Sequence, residues 1–258
     1  MLIFNVFTYE SGRKNFPDFQ IQIFSRFFSG LIIMEGFIMT NKFAVEAKPY
    51  EFTFDLDKTA LMIIDMQRDF LYPGGFGEQL GNDVSKTNVI IPTVQKMLEK
   101  AREKEMFIIH TREGHRPDLS DVPPSKQRRG GNIGEVGPMG RILVRGEYGH
   151  DIVDELQPKA GEVVLDKPGK GAFYQTDLES ILKNKGIESL IVAGVTTHVC
   201  VQTTIREAND RGFECLMLED ACAAFDPKDH EDSIRMINQQ GGIFGWTAPT
   251  ENVLRVLG

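Results

Sequence analysis

The sequence predicts an α/β fold, a single-domain three-layer α/β/α arrangement around a mainly parallel central sheet. Three observations predict it. Apolar runs without polar alternation, such as TALMIIDM (59–66) and SLIVAGV (189–195), suit strands buried on both faces. Stretches with helical spacing separate those runs, and strand–helix–strand units of this kind close as right-handed crossovers into parallel sheets. The chain has 258 residues and neither a linker nor an internal repeat, so one unit can cover both sheet faces.

The elements follow in order. TALMIIDM is the first core strand, ending in an acid. In NVIIPTVQKMLEKAREKEM, Val94, Met97, Leu98 and Ala101 fall on one helical stripe, and Pro92 suits the first turn. FIIHTRE (107–113) is the second strand, and a long segment rich in Gly, Pro and Arg covers 114–146. EVVLDK (162–167) is the third strand. TDLESILKNKG (176–186) is a helix with Thr176 as N-cap and Gly186 closing it. SLIVAGV is the fourth strand, THVCVQTTIREANDRG a helix, ECLMLEDA (214–221) a fifth strand and KDHEDSIRMINQQGG a last helix.

The first 45 residues read differently. FQIQIFSRFFSGLIIMEGFIM is rich in Phe and Ile without a clear period. It is too interrupted for a membrane span, and Glu10 and Asp18 before it, with no small-residue cleavage site after it, argue against a signal peptide. The expected division is an N-terminal extension over 1–45, disordered or the product of an upstream start (Met34 and Met39 are alternatives), and a folded domain over 46–258. The alternative is a segment that packs on a partner chain.

Hydrophobic residues make up 41% and charged residues 26%, as in soluble globular proteins, and the net charge of −8 argues against nucleic-acid or anionic-membrane partners. The three cysteines, Cys200, Cys215 and Cys222, form no C-x-x-C pair and no even framework. Free thiols in a reducing cytoplasm are expected.

In parallel α/β sheets, ligands sit outside the carboxyl ends of the strands. That rule singles out Asp65, Thr111 to Glu113, Lys167, and Thr196 to Cys200. Each has a plain alternative: Asp65 as a cap, Lys167 as a loop lysine, Cys200 as a small buried hydrophobe. Taken together they make a coherent chemistry, in which a carboxylate takes the thiol proton, the thiolate attacks a carbonyl and the lysine supports the charges. A helix N-terminus at Cys200 would lower its thiol pKa. Backbone N–H groups of Thr196 and Cys200 are placed to hold an oxyanion. Cys215 and Cys222 have no assigned role.

ALMIIDMQRDF, VLDKPGKGAF and VAGVTTHVCVQTTIREANDRGFECLMLEDACAA resemble the signature blocks of the isochorismatase-like cysteine hydrolase superfamily, in the same order, over residues 55–250. The resemblance implies Asp65, Lys167 and Cys200 as catalytic residues, Thr196 and Cys200 as the oxyanion hole, and a cis peptide at Val195–Thr196. It also implies a homo-oligomer, expected to be a tetramer. HTREGHRPDLSD carries one His115 without the Asp-x-His spacing of the nicotinamidases, so no metal is expected, and no cofactor. Isochorismatases proper lack a cysteine at this position.

IIHTREGHRPDLSDVP, GPMGRILVRGEYGHDIV, DKPGKGAF and INQQGGIFG resemble the biuret hydrolase branch most. This implies a small ureide substrate, with biuret hydrolysed to allophanate and ammonia, and Gln240 bonding its amide groups. Arg116, with Glu113 and His115, is a further candidate contact, although a solvated loop is the plainer reading of those three. Position 198 is His where that branch has Asp, and a charged His198 would lower the Cys200 pKa unless it points away. The alternatives are a ureidoacrylate or N-carbamoylsarcosine type of amidase, with Arg116 or Arg206 holding a carboxylate, or a non-catalytic paralogue acting as a binding module.

Overall fold

The computed structural model describes residues 41–129 and 132–258. The expected extension lies outside the described residues up to residue 40. The boundary expected after residue 45 shifts, because the strand Lys42–Val45 pairs antiparallel with Phe52–Asp55, and Val45 is buried in the core. Period-two alternation over four residues was too short a signal to read.

Six strands form the central sheet: β1 (Thr59–Ile64), β2 (Phe107–Glu113), β3 (Val163–Lys167), β4 (Ser189–Val195), β5 (Glu214–Ala223) and β6 (Trp246–Ala248). Their order is β3-β2-β1-β4-β5-β6 and every pairing is parallel. This is the doubly wound order with its reversal between β1 and β4. Every residue of β1 and β4 is buried, which explains their unbroken apolar runs.

Alternate strand residues feed two cores. Leu61 and Ile63 of β1 pack with Val94, Met97 and Leu98 of α1 (Ile91–Glu103) and with Val253 and Leu257 of a C-terminal helix, Thr250–Leu257. Ala60, Met62 and Ile64 face the other side. They pack with Leu178 and Leu182 of α2 (Leu178–Asn184), Ile205 and Ala208 of α3 (Gln202–Asp210), and Ile237 of α4 (Pro227–Gly242). The three layers expected from the sequence are therefore present.

Several details differ from the sequence reading. Thr176 stands one residue outside the N-cap, Asp177, but its hydroxyl still accepts from Leu178 N–H at 3.3 Å. β5 continues to Ala223. The helix expected from Thr197 opens with a wide π turn over Thr197–Val201 before α3 begins. β6 and the C-terminal helix were not read from the sequence, since three strand residues carry no period.

Gly194 locks the sheet where the site forms. Its φ is +121°, and a Cβ there would lie 2.0 Å from the Ile64 carbonyl oxygen. Only glycine lets β4 approach the end of β1 this closely. The β4–β5 register shifts at the same place.

Candidate active site

Four strand ends converge at the reversal point. Asp65 follows β1, Glu113 ends β2, Lys167 ends β3, and Cys200 lies in the π turn after β4. Glu113 and Lys167 are direct neighbours across the β2–β3 register, which puts both side chains on one side of the sheet. Asp65, Glu113 and Lys167 are fully buried, and Cys200 is 3% exposed.

Asp65 leaves β1 with φ +49°, a left-handed turn that Asp tolerates better than most residues. Its N–H donates to the Thr111 carbonyl and hydroxyl at 3.2 Å each, and the Thr111 hydroxyl donates to Asp65 Oδ1 at 2.6 Å. Lys167 Nζ pairs with Asp65 Oδ2 at 2.8 Å and donates to the carbonyls of Gly169 and Lys170 at 2.9 Å each. Pro168 and the glycines of DKPGKG turn the chain so that those carbonyls face back to the ammonium. The three sequence-expected residues are therefore brought together.

Glu113 is the residue that the sequence reading left to a solvated loop. It is instead the hub of the site. Its Oε2 accepts the Cys200 thiol at 3.4 Å and lies 3.9 Å from Lys167 Nζ. Its Oε1 accepts from Lys126 at 2.9 Å and from Lys170 at 2.7 Å. Gln67 fixes its backbone, accepting from Glu113 N–H at 2.7 Å and donating to its carbonyl at 2.9 Å. The strand-end rule that selected Asp65 also covers Glu113; nothing local in the sequence signals Lys126.

These contacts shift the pKa values of Glu113 and the lysines around it. Burial alone would raise the Glu113 pKa, but Lys167, Lys170 and Lys126 hold it down to about 2. Burial opposes the Lys167 charge as well, yet Asp65 and the other anions carry its pKa well above the ordinary lysine value. Lys170 is raised too, with Glu113 outweighing burial, whereas burial lowers Lys126.

The expectation of a thiol acidified by a helix N-terminus is corrected. Burial pushes the Cys200 thiol well above its usual value; Lys167 and Lys170 relieve this in part, and Asp65 and Glu113 add to it. Its burial therefore favours the neutral thiol over the thiolate. Deprotonation has to be coupled to a base.

Other expected contacts lie elsewhere. Arg116 and Gln240 are exposed, and among the described residues neither side chain bonds to the cluster. Gln240 sits in a break of α4 with φ +53°, which turns it away from a regular helix face. Arg206 lies over the Phe244 ring at 3.9 Å. His198 is 3.7 Å from Asp229 on α4. The Val195–Thr196 peptide is cis. Cys215 and Cys222 are buried, their thiols pushed up by burial, to about 12 for Cys215.

Donor atoms of Asp65, Glu113 and Cys200 lie within 4.8 Å of one another. They do not fit a resident metal, because the carboxylate lone pairs are taken by ammonium groups that a dication would have to displace. Nor does His115 offer a ligand nitrogen. With its proton on Nδ1 it donates to Asp121 at 3.2 Å, and Nε2 accepts from Lys126 at 2.9 Å.

The sequence profile of the isochorismatase domain matches residues 59–248. The chain belongs to the isochorismatase family. Solved structures agree. An isochorismatase family protein from Desulfovibrio vulgaris is 29% identical, with 78% of this chain and 98% of that one covered and a TM-score of 0.65. A cysteine hydrolase from Pseudomonas syringae is 28% identical, with 79% and 94% covered and a TM-score of 0.69. N-carbamoylsarcosine amidase from Thermoplasma acidophilum shares the fold at 24% identity, with 75% and 97% covered and a TM-score of 0.58. The isochorismatase-family chain is thus a hydrolase by family. No helix among its described residues is long and apolar enough to cross a membrane.

Proposed function

We propose that the protein is a cysteine-dependent amidohydrolase that cleaves the C–N bond of a carbamoyl or ureide group. The observation that carries this reading is the Cys200 thiol, hydrogen-bonded to Glu113 beside the Asp65–Lys167 pair at the sheet reversal. In the proposed course Asp65 takes the thiol proton as Sγ attacks the carbonyl carbon, and the N–H groups of Thr196 and Cys200 receive the oxyanion. Asp65 returns the proton to the leaving nitrogen, the C–N bond breaks, and an S-acyl enzyme remains. Water then gives a proton to Asp65 and attacks the thioester; collapse expels the Cys200 sulfur, which recovers the proton.

Glu113 is a weak base, because three ammonium groups hold it ionised down to about pH 2. Its part is to orient the thiol. Lys167 supplies the charge that keeps both carboxylates in one buried site.

Biuret is the substrate that the sequence resemblance favours, with allophanate and ammonia as products. A second reading, a ureide bearing a carboxylate, is favoured by the lysines around Glu113. The test is ammonia release by the wild type and a Cys200→Ser variant from biuret, triuret, N-carbamoylsarcosine, ureidoacrylate and nicotinamide. Turnover of any ureide that disappears in the variant supports the proposal. Absence of turnover across the panel contradicts it.

A further inference from the structure

Lys167 and Cys200 reach the site from strands that are not neighbours. In the sheet order, β2 and β1 lie between the end of β3 and the end of β4. No strand register therefore fixes the loop after Lys167 against the turn that carries Cys200. The proposed chemistry needs that spacing, because Lys167 pairs with Asp65 and lies 3.9 Å from the Glu113 oxygen that accepts the thiol.

Thr204 spans the gap. It lies in the first turn of α3, fully buried. Its hydroxyl donates to the Cys200 carbonyl at 2.7 Å and accepts from the Ala172 N–H at 3.1 Å. The first bond is ordinary for a helical threonine. The second reaches a loop 32 residues away in the chain. That loop, DKPGKGAF, supplies the Gly169 and Lys170 carbonyls that hold the Lys167 ammonium, and its Lys170 side chain bonds Glu113. It sits tightly on α3, since a Cβ at Gly171 would lie 2.5 Å from a Glu207 carboxylate oxygen. The Ala172 carbonyl accepts from the Thr176 hydroxyl at 2.5 Å, so threonines claim both backbone polar groups of this buried residue. A hydroxyl can donate and accept through one atom; a valine of the same shape does neither.

We infer that Thr204 is a positioning residue whose hydroxyl ties the Cys200 backbone to the Lys167 loop, so that nucleophile and ammonium keep one spacing during acyl transfer. This rests on the thiol nucleophile of the proposed function and not on its ureide substrate. Without the hydroxyl, the buried Ala172 N–H loses its acceptor and the loop loses its tie to the thiol. A misplacement of about 1 Å in such a support lowers a rate about a hundredfold.

The probe is p-nitrophenyl acetate, an activated ester that reports on the thiol without a ureide pocket. Cys200 Sγ bonds the acetyl carbon, the ester C–O bond breaks, p-nitrophenolate leaves with its electron pair, and the thiol proton passes through Asp65 to water. First-turnover release of p-nitrophenolate is compared in the wild type, Cys200→Ala, Thr204→Ser and Thr204→Val. At saturation Thr204→Val should acylate about tenfold to a hundredfold more slowly, with the half-saturating ester concentration changed by about threefold or less. Thr204→Ser keeps the hydroxyl and should stay within about threefold of the wild-type rate. Amide exchange at Ala172 should quicken about tenfold in Thr204→Val and not in Thr204→Ser. A general loss of stability would neither separate the two constants nor be rescued by serine. If Thr204→Val does not fold, Thr204→Ala takes its place with the same expectation. A wild-type acylation rate without the hydroxyl, an equal loss in Thr204→Ser, or no Cys200-dependent release in the wild type overturns the inference. The underlying reading fails separately. A wild type that is acylated by the ester but releases no ammonia from any ureide would sink the amidohydrolase and leave the part of Thr204. Ammonia release from a ureide together with acylation indifferent to Thr204 would do the reverse.

Discussion

Removing the Lys167 ammonium should be the most damaging single change that spares the apolar core. Lys167 is fully buried, 2.8 Å from Asp65 Oδ2 and 3.9 Å from Glu113 Oε2. Lys167→Met keeps most of the volume and leaves two buried carboxylates close together with one fewer cation. Taking one partner from a buried ion pair costs about 3–5 kcal/mol, against about 0–1 kcal/mol for an exposed pair. The burial of every member decides between these limits in favour of the larger. On a total stability of about 5–15 kcal/mol this is a large fraction, and it corresponds to a fall in Tm of roughly 6–20 °C for a domain of this size. Urea unfolding at pH 7 is the assay. The fluorescence of Trp246 is a convenient signal, because it is the one tryptophan of the chain and packs 5.0 Å from the Phe52 ring. The double variant Asp65→Asn/Lys167→Met, which removes both charges, should recover at least about 1 kcal/mol relative to Lys167→Met alone. A loss below about 1 kcal/mol in the single variant would refute the reasoning, since it would mean that the pair behaves as though solvated.

Asp65→Asn should lower kcat by about 10³-fold or more and Glu113→Gln by about tenfold to a hundredfold, because only Asp65 moves a proton in the proposed course; ammonia release reports both, and the reverse order would exchange their roles. Stability should fall in acid. Burial holds the folded His150 down to about 4, and cationic partners hold Glu113 and Glu162 down to about 2. These groups therefore contribute stability at neutral pH that fades as pH drops from about 6.5 for His150 and from about 4.5 for the glutamates. Urea unfolding from pH 7 to pH 3 should show this decline, with a shallower slope below pH 4.5 in Glu113→Gln, and an unchanged slope would contradict the assignment. Gly194→Ala should cost roughly 3 kcal/mol or more, since a strained φ and overpacking each contribute about 1–3 kcal/mol; a thermal melt within about 2 °C of wild type would show that β1 yields instead. Carbamidomethylation of native Cys200 should be slow at pH 7 and accelerate up to pH 9 without a plateau, because its thiol pKa is raised; a plateau near pH 7 would restore the acidified thiol that the sequence suggested.

The layers were legible because β1 and β4 are buried along their whole lengths and α1 shows one apolar stripe; both patterns follow directly from burial. β6 and the antiparallel pair at Lys42–Val45 were not, since three or four residues cannot establish a period. Asp65, Lys167 and Cys200 could be selected because a charge or thiol that ends an apolar run stands out. Glu113 ends such a run too, but the Gly- and Arg-rich stretch after it suggested solvent. Only the β2–β3 register reveals that it faces Lys167 across the sheet. Lys126 comes from a short helix, Pro124–Arg128, inside that stretch, and its approach to Glu113 depends on a loop path that local sequence does not encode. The thiol pKa was misjudged for a related reason: a helix start can be read from sequence, whereas the depth of burial and two facing carboxylates cannot.

The central claim is that Cys200 becomes acylated during turnover. The most direct test is to mix the protein with a ureide that it hydrolyses, quench in acid within milliseconds to seconds, and weigh the intact chain and its Cys200 peptide by mass spectrometry. The account predicts a transient adduct equal to substrate minus the leaving amine, confined to Cys200 and absent from Cys200→Ser. Continued ammonia release by Cys200→Ala, or an adduct on another residue, would contradict it.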